Sequence, residues 1–572
     1  MVRSPIRNWY ARLAAGLPMV LLGACGGGSD APAPLPRLAA ATPATLQSCT
    51  DLVGRAGYAN TTLTAATLVP AGTLTIAGQP VGEHCRVTGR MYDRVSAVDG
   101  QSYAIGFEMR LPRAWNGRFF HQVNGGLDGS VVTATGGIGG GGPLSNGLLQ
   151  GFAVISSDAG HSAAQNPLFG LDPQARLDYG YQAVGKLTPM AKALIATAYG
   201  KGPDRSYLVG CSNGGRHAMV GASRYADQYD GILAGNPGFN LPKAAVAQLY
   251  GAQQFNTVAT NPQDLSSAFT PAERALVANR VLGKCDALDG ATDGLVQDTK
   301  ACQAAFSLQA DVPTCGAAGR DGSCLSTAQK TALGNIFRGA RNSAGTPIYA
   351  SFPYDAGITS SNWAGWKFSS SVERDPVAVG FLFQVPPAPA SMLANTKAFS
   401  LGFSMDTDAP KIAATNALYT ESSLSFMTPP NPTDLSALRN RGAKMMVYHG
   451  TSDGVFSPDD TAAWYDNLRN ARGGDASDFA RLYLVPGMNH CGAGPSTDQF
   501  DMVSALVAWV EQGQGPDRVV ASARGAGNAG GVNADVPSGW SAGRTRPLCP
   551  YPQVARYRGT GDIESAASFV CQ

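Results

Sequence analysis

The sequence predicts an α/β protein with a mainly parallel sheet, helices on both faces of the sheet and one large insertion. Three observations predict this class. Short apolar segments alternate with helical segments up to residue 239 and again from residue 436. One apolar segment runs through a Gly-x-Ser-x-Gly turn directly into a helix. The stretch 240–435 lacks the alternation and holds four cysteines and many prolines.

The composition sets broad limits on the protein. Its 572 residues permit one large α/β domain with an insertion, or two to three ordinary domains. Hydrophobic residues make up 44% of the chain and charged residues 15%, which favours a large core over global disorder. The net charge of +2 is not gathered into runs, so we expect neither nucleic-acid binding nor electrostatic docking on a membrane.

Residues 1–25 are predicted to be an export signal. A basic start precedes the apolar run Leu13–Leu22, which is too short to span a bilayer. The run ends in Leu-Gly-Ala-Cys, which resembles a lipoprotein box, so we expect Cys25 to be lipidated; ordinary signal cleavage nearby is the alternative. A flexible linker rich in Gly, Ala and Pro follows over residues 26–45. The protein would then be periplasmic, an outer-membrane lipoprotein or secreted, touching a membrane only through this lipid.

The remaining ten cysteines form an even set, which predicts up to five disulfides in an oxidising compartment. No Cys-x-x-Cys pair is present, so a thiolate zinc site is not expected. Pairing of near neighbours leaves 211 with 491, although the sequence alone proves no connectivity and two buried free thiols are the alternative for that pair. The near-neighbour pairs are Cys49 with Cys85, Cys285 with Cys302, Cys315 with Cys324, and Cys549 with Cys571.

The first half of the chain predicts six strands and one long helix. The two early strands alternate apolar and polar residues, as half-buried strands do, and the others are short apolar runs typical of buried strands. The helix has apolar residues at 3.6-residue spacing from Asp178 to Tyr199. The strands are predicted over residues 85–92, 103–111, 118–123, 152–157, 207–209 and 229–234.

The strand–helix alternation returns after the long interruption. Apolar runs predict strands over 444–449 and 480–485, and amphipathic segments predict helices over 459–470 and 498–511. We interpret residues 240–435 as a lid above the carboxyl edge of the sheet; a free-standing domain is the alternative. Residues 46–239 and 436–572 would then form the catalytic domain.

The turn around Ser212 carries the chemistry. Its segment Gly210–Gly214 reads Gly-Cys-Ser-Asn-Gly between a strand and a helix, the pattern of a nucleophile elbow that projects a serine hydroxyl clear of the sheet. In a chain with 70 glycines, a glycine-rich turn that merely contains a serine is the alternative. The backbone N–H of Asn213 would bind a developing oxyanion, and Gly125 or Gly126, after an early strand, would supply the second N–H.

A nucleophilic serine needs a base and a carboxylate that orients the base. Of the six histidines, His490 lies in the loop after the final long strand, where the base is expected. Asp453 follows the penultimate strand directly and is the predicted acid. The order Ser, Asp, His matches the α/β-hydrolase arrangement. A bridge between Cys211 and Cys491 would tie the serine turn to the histidine loop.

A second candidate site lies in the segment 285–296. Asp286, Asp289 and Asp293 fall in one short loop with glycines that let carbonyl groups turn inward, which suits calcium. The spacing is not that of an EF-hand, and on spacing alone a pair of Asp-Gly turns is the preferred interpretation.

Five segments together resemble the tannase and feruloyl esterase family of secreted α/β-hydrolases, including its branch that hydrolyses mono(2-hydroxyethyl) terephthalate. The resemblance covers essentially the whole mature chain. It implies Ser212, Asp453 and His490 as the triad and a Cys211–Cys491 bridge. It also implies calcium bound by the three aspartates and by the carbonyls of Ala291 and Leu295. The segments are Gly210–Arg216, Cys285–Gly290, Tyr448–Asp453, Met488–Gly492 and Arg546–Pro552.

The resemblance implies a serine esterase that acts on small esters of aromatic acids, of the feruloyl or galloyl type, with specificity residing in the lid. Aromatic lid residues are candidates for stacking on the acyl group, and core packing is the alternative for each. Arg374 is the candidate for holding a distal carboxylate in a terephthalate monoester. The rival interpretations are terephthalate monoester hydrolysis, a peptidase or acyltransferase, and a lipoprotein that binds aromatic esters without catalysis. The aromatic candidates are Trp363, Trp366, Phe381 and Phe383.

Overall fold

A computed structural model describes residues 35–317 and 319–572. Residues Pro36–Gln572 cluster into one compact unit. The predicted export signal, Cys25 and most of the predicted linker lie outside the described residues. The end of that linker is paired structure instead: Ala44–Thr45 forms a two-residue antiparallel ladder with Ala114–Trp115. The N–H of Ala41 also donates to the Glu511 carboxylate at 2.9 Å.

The described chain is built on a mixed sheet of nine strands, in the order β9-β8-β7-β6-β4-β5-β3-β2-β1. The six strands from β9 to β5 are parallel to their neighbours, and β3, β2 and β1 continue the sheet antiparallel. The predicted α/β-hydrolase class is thereby confirmed. The strands are β1 Thr61–Val69, β2 His84–Val95, β3 Ser102–Pro112, β4 Arg118–Gln122, β5 Ala153–Ser157, β6 Arg205–Cys211, β7 Gly231–Gly235, β8 Lys444–Gly450 and β9 Ala480–Val485.

The central strands β5, β7 and β8 are buried along their whole length. Parallel strands covered by helices on both faces are expected to be continuously apolar in this way. The register aligns the carboxyl ends of β6, β7 and β8, since Cys211 pairs with Gly235 and Gly235 pairs with Tyr448. Loops that leave this edge therefore meet, and a site assembled from distant parts of the sequence can form there.

The longer helices begin at residues that satisfy free backbone N–H groups. Thr270 accepts from the N–H of Glu273 while the Glu273 side chain accepts from the N–H of Thr270, a capping box that starts α4. Ser326 and Gln329 start α5 in the same way. The helices of eight or more residues are α1 Ala183–Tyr199, α2 Asn213–Arg224, α3 Leu241–Asn256, α4 Pro271–Cys285, α5 Thr327–Phe337, α6 Pro458–Ala471 and α7 Met502–Gln512.

Shorter elements complete the described chain. Strand pairs join Thr75–Ile76 with Gln79–Pro80, Val519–Ser522 with Thr545–Leu548, and Ala555–Tyr557 with Phe569–Cys571. Short α-helices are Leu52–Arg55, Pro173–Leu177, Thr299–Ala305, Leu308–Asp311, Ser361–Ala364, Arg374–Val377, Thr396–Gly402, Ser423–Met427 and Ser436–Asn440. Single 3₁₀ turns are Ala163–Gln165, Leu168–Leu171, Leu265–Ala268, Asp286–Asp289, Ala356–Thr359, Ala390–Ala394, Ala409–Ala413 and Ala566–Ser568. Three segments are π-helical: Asp178–Gln182, Gly365–Ser370 and Ala378–Phe383.

The long stretch without strand–helix alternation lies between the neighbouring strands β7 and β8. It contains helices and irregular segments, and none of its described residues joins the central sheet. Its apolar side chains form one buried cluster with residues of the segment Phe169–Tyr179 and with Val455 and Phe456. The insertion thus packs on the loop that follows β8, next to the carboxyl edge of the sheet.

Five disulfides join ten cysteines: the four predicted near-neighbour pairs form, and the remaining Cys211 and Cys491 are bonded to each other rather than free. Disulfides form and persist in oxidising compartments, so this is an exported protein. No helix within the described residues is long and apolar enough to cross a membrane.

Candidate active site

Ser212 occupies a sharp turn between β6 and α2. Its backbone adopts φ 66° and ψ −128°, a region that non-glycine residues rarely enter, and its N–H donates to Gly235 O at 2.9 Å. Glycine is required on both sides. A Cβ at Gly210 or Gly214 would lie only 2.5 or 2.4 Å from the carbonyl oxygen of Val123. The serine turn is therefore pressed against the end of β4, which is where the segment 124–126 leaves the sheet.

The structure brings Ser212, His490 and Asp453 into one hydrogen-bonded line. The Nδ1–H of His490 donates to Asp453 Oδ2 at 2.8 Å, which leaves Nε2 as the acceptor. The hydroxyl of Ser212 then donates to His490 Nε2 at 2.7 Å. All three groups follow carboxyl ends of parallel strands, those of β6, β8 and β9. This is the arrangement that a serine nucleophile, its base and the group that orients the base require.

Asp453 is buried and held as an anion. Its Oδ1 accepts from the N–H groups of Val455 and Phe456 at 2.8 and 3.1 Å, and its Oδ2 accepts from Asn236 Nδ2 at 2.8 Å. Burial would raise the pKa of this carboxyl, but the charge of His490 and hydrogen bonds from His449 and His490 outweigh burial and lower it. The carboxylate can therefore fix the orientation and tautomer of the His490 ring.

His449 is a further neighbour of Asp453 that the sequence analysis does not select. Its Nε2 lies 3.2 Å from Asp453 Oδ2, and its Nδ1 lies 2.9 Å from the hydroxyl oxygen of Thr461. The sequence spacing does indicate this contact, because His449 and Asp453 stand four positions apart at the end of one strand. The short loop between them turns the histidine back onto the carboxylate.

Two aromatic edges and one disulfide hold the His490 loop in place. Trp366 and Phe456 meet the imidazole edge to face, with ring centroids 4.9 and 5.2 Å away. Cys211 precedes the serine and Cys491 follows the histidine, so their disulfide joins the two loops covalently. The base is thus restrained against the serine by packing as well as by hydrogen bonds.

The predicted oxyanion donors lie beside the serine. A Cβ on Gly125 would stand 4.0 Å from the Ser212 hydroxyl oxygen, which shows how closely this backbone approaches the nucleophile. Asn213 begins α2, so its N–H has no intrahelical acceptor. Across residues 35–317 and 319–572, no hydrogen bond from the N–H of Asn213, Gly125 or Gly126 is found. These groups can bind an oxygen that develops negative charge next to Ser212.

A mostly apolar pocket opens at Ser212. Among the predicted substrate contacts, Phe383 and Arg374 lie in its wall, and Trp366 lies next to it on His490. Arg374 stacks over Trp366 at 4.3 Å and binds Asp375 Oδ1 at 3.0 Å. Burial raises the pKa of Asp375, although Arg374 acts in the opposite direction. The full lining is Gly126, Leu127, Tyr179, Ser212, Asn213, Leu241, Ala245, Arg374, Asp375, Ala378, Phe383 and Phe456.

Two predicted substrate contacts are corrected by the structure. Trp363 and Phe381 are buried in the hydrophobic cluster of the insertion and do not line the pocket at Ser212. Trp363 packs edge to face on Phe368 with centroids 5.9 Å apart, and the carbonyl of Phe381 accepts from Arg176. Both are therefore core residues of the insertion.

The aspartate loop folds tightly upon itself. Asp286 Oδ1 accepts from the N–H of Asp293 at 2.9 Å, and Asp293 Oδ2 pairs with buried Arg546. Among the described residues, no group of three or more His, Cys, Asp or Glu side chains is arranged to hold a metal ion.

Two features of the same loop nevertheless fit a hard cation. Asp289 Oδ2 is buried and has no hydrogen-bond partner in the described part of the chain. Burial, together with the charges of Asp293 and Asp286, raises the pKa of Asp289 to about 7. The carbonyls of Ala291 and Leu295 belong to buried residues and receive no hydrogen bond from any described donor. These oxygens are the kind of ligand that calcium prefers.

The fold and the hydrogen-bonded Ser212–His490–Asp453 line define a serine hydrolase of the α/β-hydrolase class. The family model described as tannase and feruloyl esterase matches residues 85–572. The chain therefore belongs to the tannase and feruloyl esterase family, and it is a carboxylic ester hydrolase. The resemblance seen in the sequence is confirmed.

Individual relatives agree with this assignment. The chain is 42% identical over 537 residues to mono(2-hydroxyethyl) terephthalate hydrolase of Piscinibacter sakaiensis, covering 88% of this chain and 87% of that protein. It is 27% identical to probable feruloyl esterase B of Emericella nidulans, over 91% of this chain and 94% of that one. The crystal structure of feruloyl esterase B from Aspergillus oryzae superposes with a TM-score of 0.72 at 23% identity, covering 92% of this chain and 99% of that one, and supports the fold.

Proposed function

We propose that this protein hydrolyses carboxylic esters of aromatic acids, of the feruloyl or galloyl type, through an acyl-enzyme on Ser212. The observation that carries the proposal is the hydrogen-bonded line from Ser212 through His490 to Asp453 at the mouth of an apolar pocket. The family and its feruloyl esterase relatives support the substrate class.

The reaction follows from the positions of the three groups. Ser212 Oγ attacks the ester carbonyl as His490 Nε2 takes the hydroxyl proton, and Asp453 stabilises the imidazolium that results. The N–H groups of Asn213 and of Gly125 or Gly126 bind the oxyanion of the tetrahedral intermediate. His490 returns the proton to the departing alcohol, which leaves the aromatic acyl group on Ser212. Water, deprotonated by His490, then attacks the acyl carbon; the bond to Ser212 Oγ breaks, His490 returns the proton to Oγ, and the acid is released.

The pocket suits an aromatic acyl group. Phe383, Phe456 and Leu241 give the pocket an apolar wall. Aromatic rings prefer offset or edge-on contact with another ring, so the two phenylalanines can pack against an aromatic acyl group. The half-buried Trp366 packs edge to face on His490 beside this pocket.

A second candidate substrate is a terephthalate monoester. It is favoured by one observation: Arg374 lies in the pocket wall with 29% of its side chain exposed, so a cation is present where a distal carboxylate could bind. The relative from Piscinibacter sakaiensis supports the same substrate. The pairing of Arg374 with Asp375 works against it, because this carboxylate already compensates the arginine charge.

The experiment compares the mature protein with its Ser212→Ala and Arg374→Gln variants on four esters. These are methyl ferulate, methyl gallate, mono(2-hydroxyethyl) terephthalate and a short aliphatic nitrophenyl ester. Ser212→Ala should lower kcat at least about 10⁴-fold on every substrate. A control variant, Ser343→Ala, removes an exposed lid serine and should leave kcat unchanged. Turnover that survives Ser212→Ala would exclude this serine as the nucleophile.

The same experiment ranks the two substrates. If Arg374 binds a distal carboxylate, Arg374→Gln should lower kcat/KM about tenfold or more for the terephthalate monoester and leave methyl ferulate within about threefold. Equal loss on both esters would mean that Arg374 supports the pocket wall and does not recognise the acid.

We further propose a structural calcium ion in the loop 286–295. Asp286, Asp289 and Asp293 would bind it by side chain, and Ala291 and Leu295 by carbonyl. The buried, unpartnered oxygen of Asp289 supports the proposal. When bound, the ion would neutralise adjacent buried carboxylates and brace the insertion, with no part in the ester chemistry.

Finally, we propose that the exported protein is a lipoprotein anchored through Cys25. The Leu-Gly-Ala-Cys sequence and the following small-residue stretch support it. Mass spectrometry of the N-terminal peptide from membrane-extracted protein would show diacylglycerol on Cys25; an unmodified N-terminus at another residue would indicate ordinary cleavage.

A further inference from the structure

The backbone beside the nucleophile is fixed by a complete set of carbonyl contacts. From Gly125 to Asp128, every carbonyl oxygen accepts a hydrogen bond. The donors, in chain order, are the N–H of Asp128 at 3.2 Å, the hydroxyl of Tyr179 at 3.1 Å, Nε2 of His161 at 2.9 Å and Nδ2 of Asn166 at 3.1 Å. Because each peptide is planar, a fixed carbonyl also fixes the N–H of the following residue, so the held carbonyl of Gly125 fixes the N–H of Gly126.

His161 acts in this set as a neutral donor. Its Nε2 faces two acceptors, Leu127 O and Asn166 Oδ1, so Nε2 carries the proton. Burial lowers the pKa of His161 to about 4, and its ring stacks on Phe169 with centroids 3.6 Å apart. The donor therefore keeps one tautomer and one orientation around neutral pH.

Asp128 joins this loop to the serine turn. It is a buried carboxylate at φ 53°, a left-handed conformation that costs a non-glycine residue energy. Its Oδ2 accepts from Asn213 Nδ2 at 2.8 Å and lies 3.1 Å from His217 Nε2. Both partners lie on α2, so a side chain of the Gly125–Asp128 loop holds the helix whose first N–H is the other oxyanion donor.

The opposite side of Asn213 completes a closed ring of hydrogen bonds. Asn213 Oδ1 accepts from Arg216 Nε at 2.9 Å, and Arg216 Nη2 donates to the carbonyl of Tyr179 at 3.0 Å. The Tyr179 hydroxyl returns to Gly126. Burial raises the pKa of Asp128 well above its ordinary value, and the positive charge of the buried Arg216 guanidinium acts in the opposite direction.

We propose that Asp128 and the side chain of Asn213 are positioning residues of the oxyanion hole. They hold the N–H of Gly126 at a fixed separation from the N–H of Asn213, within a ring closed by Arg216 and Tyr179. This inference rests on the proposed function, since it concerns the same tetrahedral oxyanion. It separates two roles of Asn213: its backbone binds the oxyanion, and its side chain sets the distance between the two donors.

The test uses four variants that keep all the proposed N–H donors. Asp128→Gly removes the carboxylate without strain at positive φ, and Asp128→Asn keeps an acceptor oxygen. Asn213→Ala keeps the helix-first N–H, and Tyr179→Phe removes only the hydroxyl that holds Gly126. Loss of one oxyanion donor costs about 10²- to 10³-fold in kcat, so a displaced donor should cost about 10- to 100-fold.

The expected pattern is specific to an oxyanion hole. Asp128→Gly, Asn213→Ala and Tyr179→Phe should lower kcat on a serine-dependent ester while KM stays within about threefold. The Ki of an arylboronic acid, which forms a tetrahedral adduct on Ser212, should rise by the same factor as kcat falls. Asp128→Asn should recover at least about tenfold of the loss. The Asp128→Gly/Asn213→Ala double variant should be no slower than the slower single variant.

A matched control is Asp230→Asn. The buried carboxylate of Asp230 accepts from the N–H of Ser206 at the amino end of β6, which is the sheet edge opposite the site. The Asp230→Asn variant should therefore lower Tm without changing kcat or boronate affinity. Wild-type kcat in folded Asn213→Ala and Tyr179→Phe would overturn the inference, as would losses that add in the double variant. If Asp128→Gly fails to fold, Asn213→Ala and Tyr179→Phe decide together, because both keep every proposed N–H donor. Activity that survives Ser212→Ala would instead overturn the proposed function.

Discussion

Lys367 is a buried cation whose removal should stabilise the protein. Its side chain is 3% exposed, in the π-helical segment Gly365–Ser370, and its ammonium stands 3.9 Å from the ring centre of Phe352. Burial lowers the pKa of Lys367 to about 7, although Asp453 and Asp375 act in the opposite direction. Lys367→Met keeps the length and flexibility of the side chain, keeps a favourable contact with the aromatic ring and removes the charge.

The expected gain in the free energy of unfolding follows from the lowered pKa of Lys367. A fall of the pKa from 10.5 to about 7 corresponds to roughly 5 kcal/mol, at about 1.36 kcal/mol per unit. A lysine with a lowered folded-state pKa destabilises most below pH 7, where both states are protonated. Between about pH 7 and 10 the unfolded chain binds more protons than the folded protein, so wild-type stability rises with pH. The advantage of Lys367→Met should therefore shrink by about 1.4 kcal/mol per pH unit over that range.

The assay is equilibrium urea unfolding of wild type and Lys367→Met at pH 6, 8 and 10, with disulfides intact. We expect the variant to be more stable by up to about 5 kcal/mol at pH 6 and by less than about 1 kcal/mol at pH 10. Lys300→Met, at an exposed lysine, should change stability by less than about 0.5 kcal/mol at each pH. A destabilised variant at pH 6, or an advantage that does not change with pH, would refute the assignment of Lys367 as an uncompensated buried charge.

Two further predictions concern the cross-links of the fold. The Cys211→Ala/Cys491→Ala variant opens a bridge that spans 280 residues, so it should lose about 5 kcal/mol in unfolding and also kcat, because the serine and histidine loops separate. The Cys315→Ala/Cys324→Ala variant spans nine residues, should lose about 3 kcal/mol and should keep kcat; equal kinetics in the two variants would argue against a role for the first bridge. Chelation with EGTA should lower Tm by several degrees in wild type and in the exposed-site variant Asp321→Asn but not in Asp289→Asn, and a chelator-insensitive wild type would mean that the loop binds no calcium.

The triad could be predicted because its positions are tied to strand ends. Ser212, Asp453 and His490 each follow an apolar run that is easy to recognise, and parallel neighbours bring their carboxyl ends to one edge. Residues that are far apart along the chain but follow neighbouring parallel strands therefore lie close together in the structure. The elbow glycines carry a second local signal, since nothing larger fits against Val123.

The supporting network could not be predicted in this way. Asp128 lies in a glycine-rich stretch without periodicity, and its partner Asn213 stands 85 positions later. The donors His161 and Tyr179 also reach the loop through tertiary packing. No propensity or spacing rule selects one buried aspartate from many, because its role depends on which backbone groups the fold leaves unpaired around it.

Two tryptophans of the insertion show where sequence periodicity stops being informative. Trp363 and Trp366 are three positions apart, so on a regular α-helix they would share a face. Both do approach Gly454, where a Cβ would lie 3.3 Å from each side chain, although the helix Ser361–Ala364 passes into a π-helical segment at Gly365 between them. Their surroundings still differ, because Trp363 is buried in the hydrophobic cluster of the insertion and the half-buried Trp366 contacts His490. Spacing alone could not separate the core residue from the one at the site.

The same backbone feature recurs around the pocket. Tyr179, Trp366 and Phe383 lie on three separate π-helical segments, and all three line the pocket or contact its histidine. A π-turn has weaker hydrogen-bond geometry than an α-turn, so three of them at one place represent stability given up for shape. Each inserts one extra residue into a helical turn and thereby moves one aromatic side chain to a position that an α-helix of the same length would not offer. The pocket wall is therefore set by backbone insertions as much as by side-chain identity, and relatives with similar aromatic residues but regular helices should shape a different acyl site.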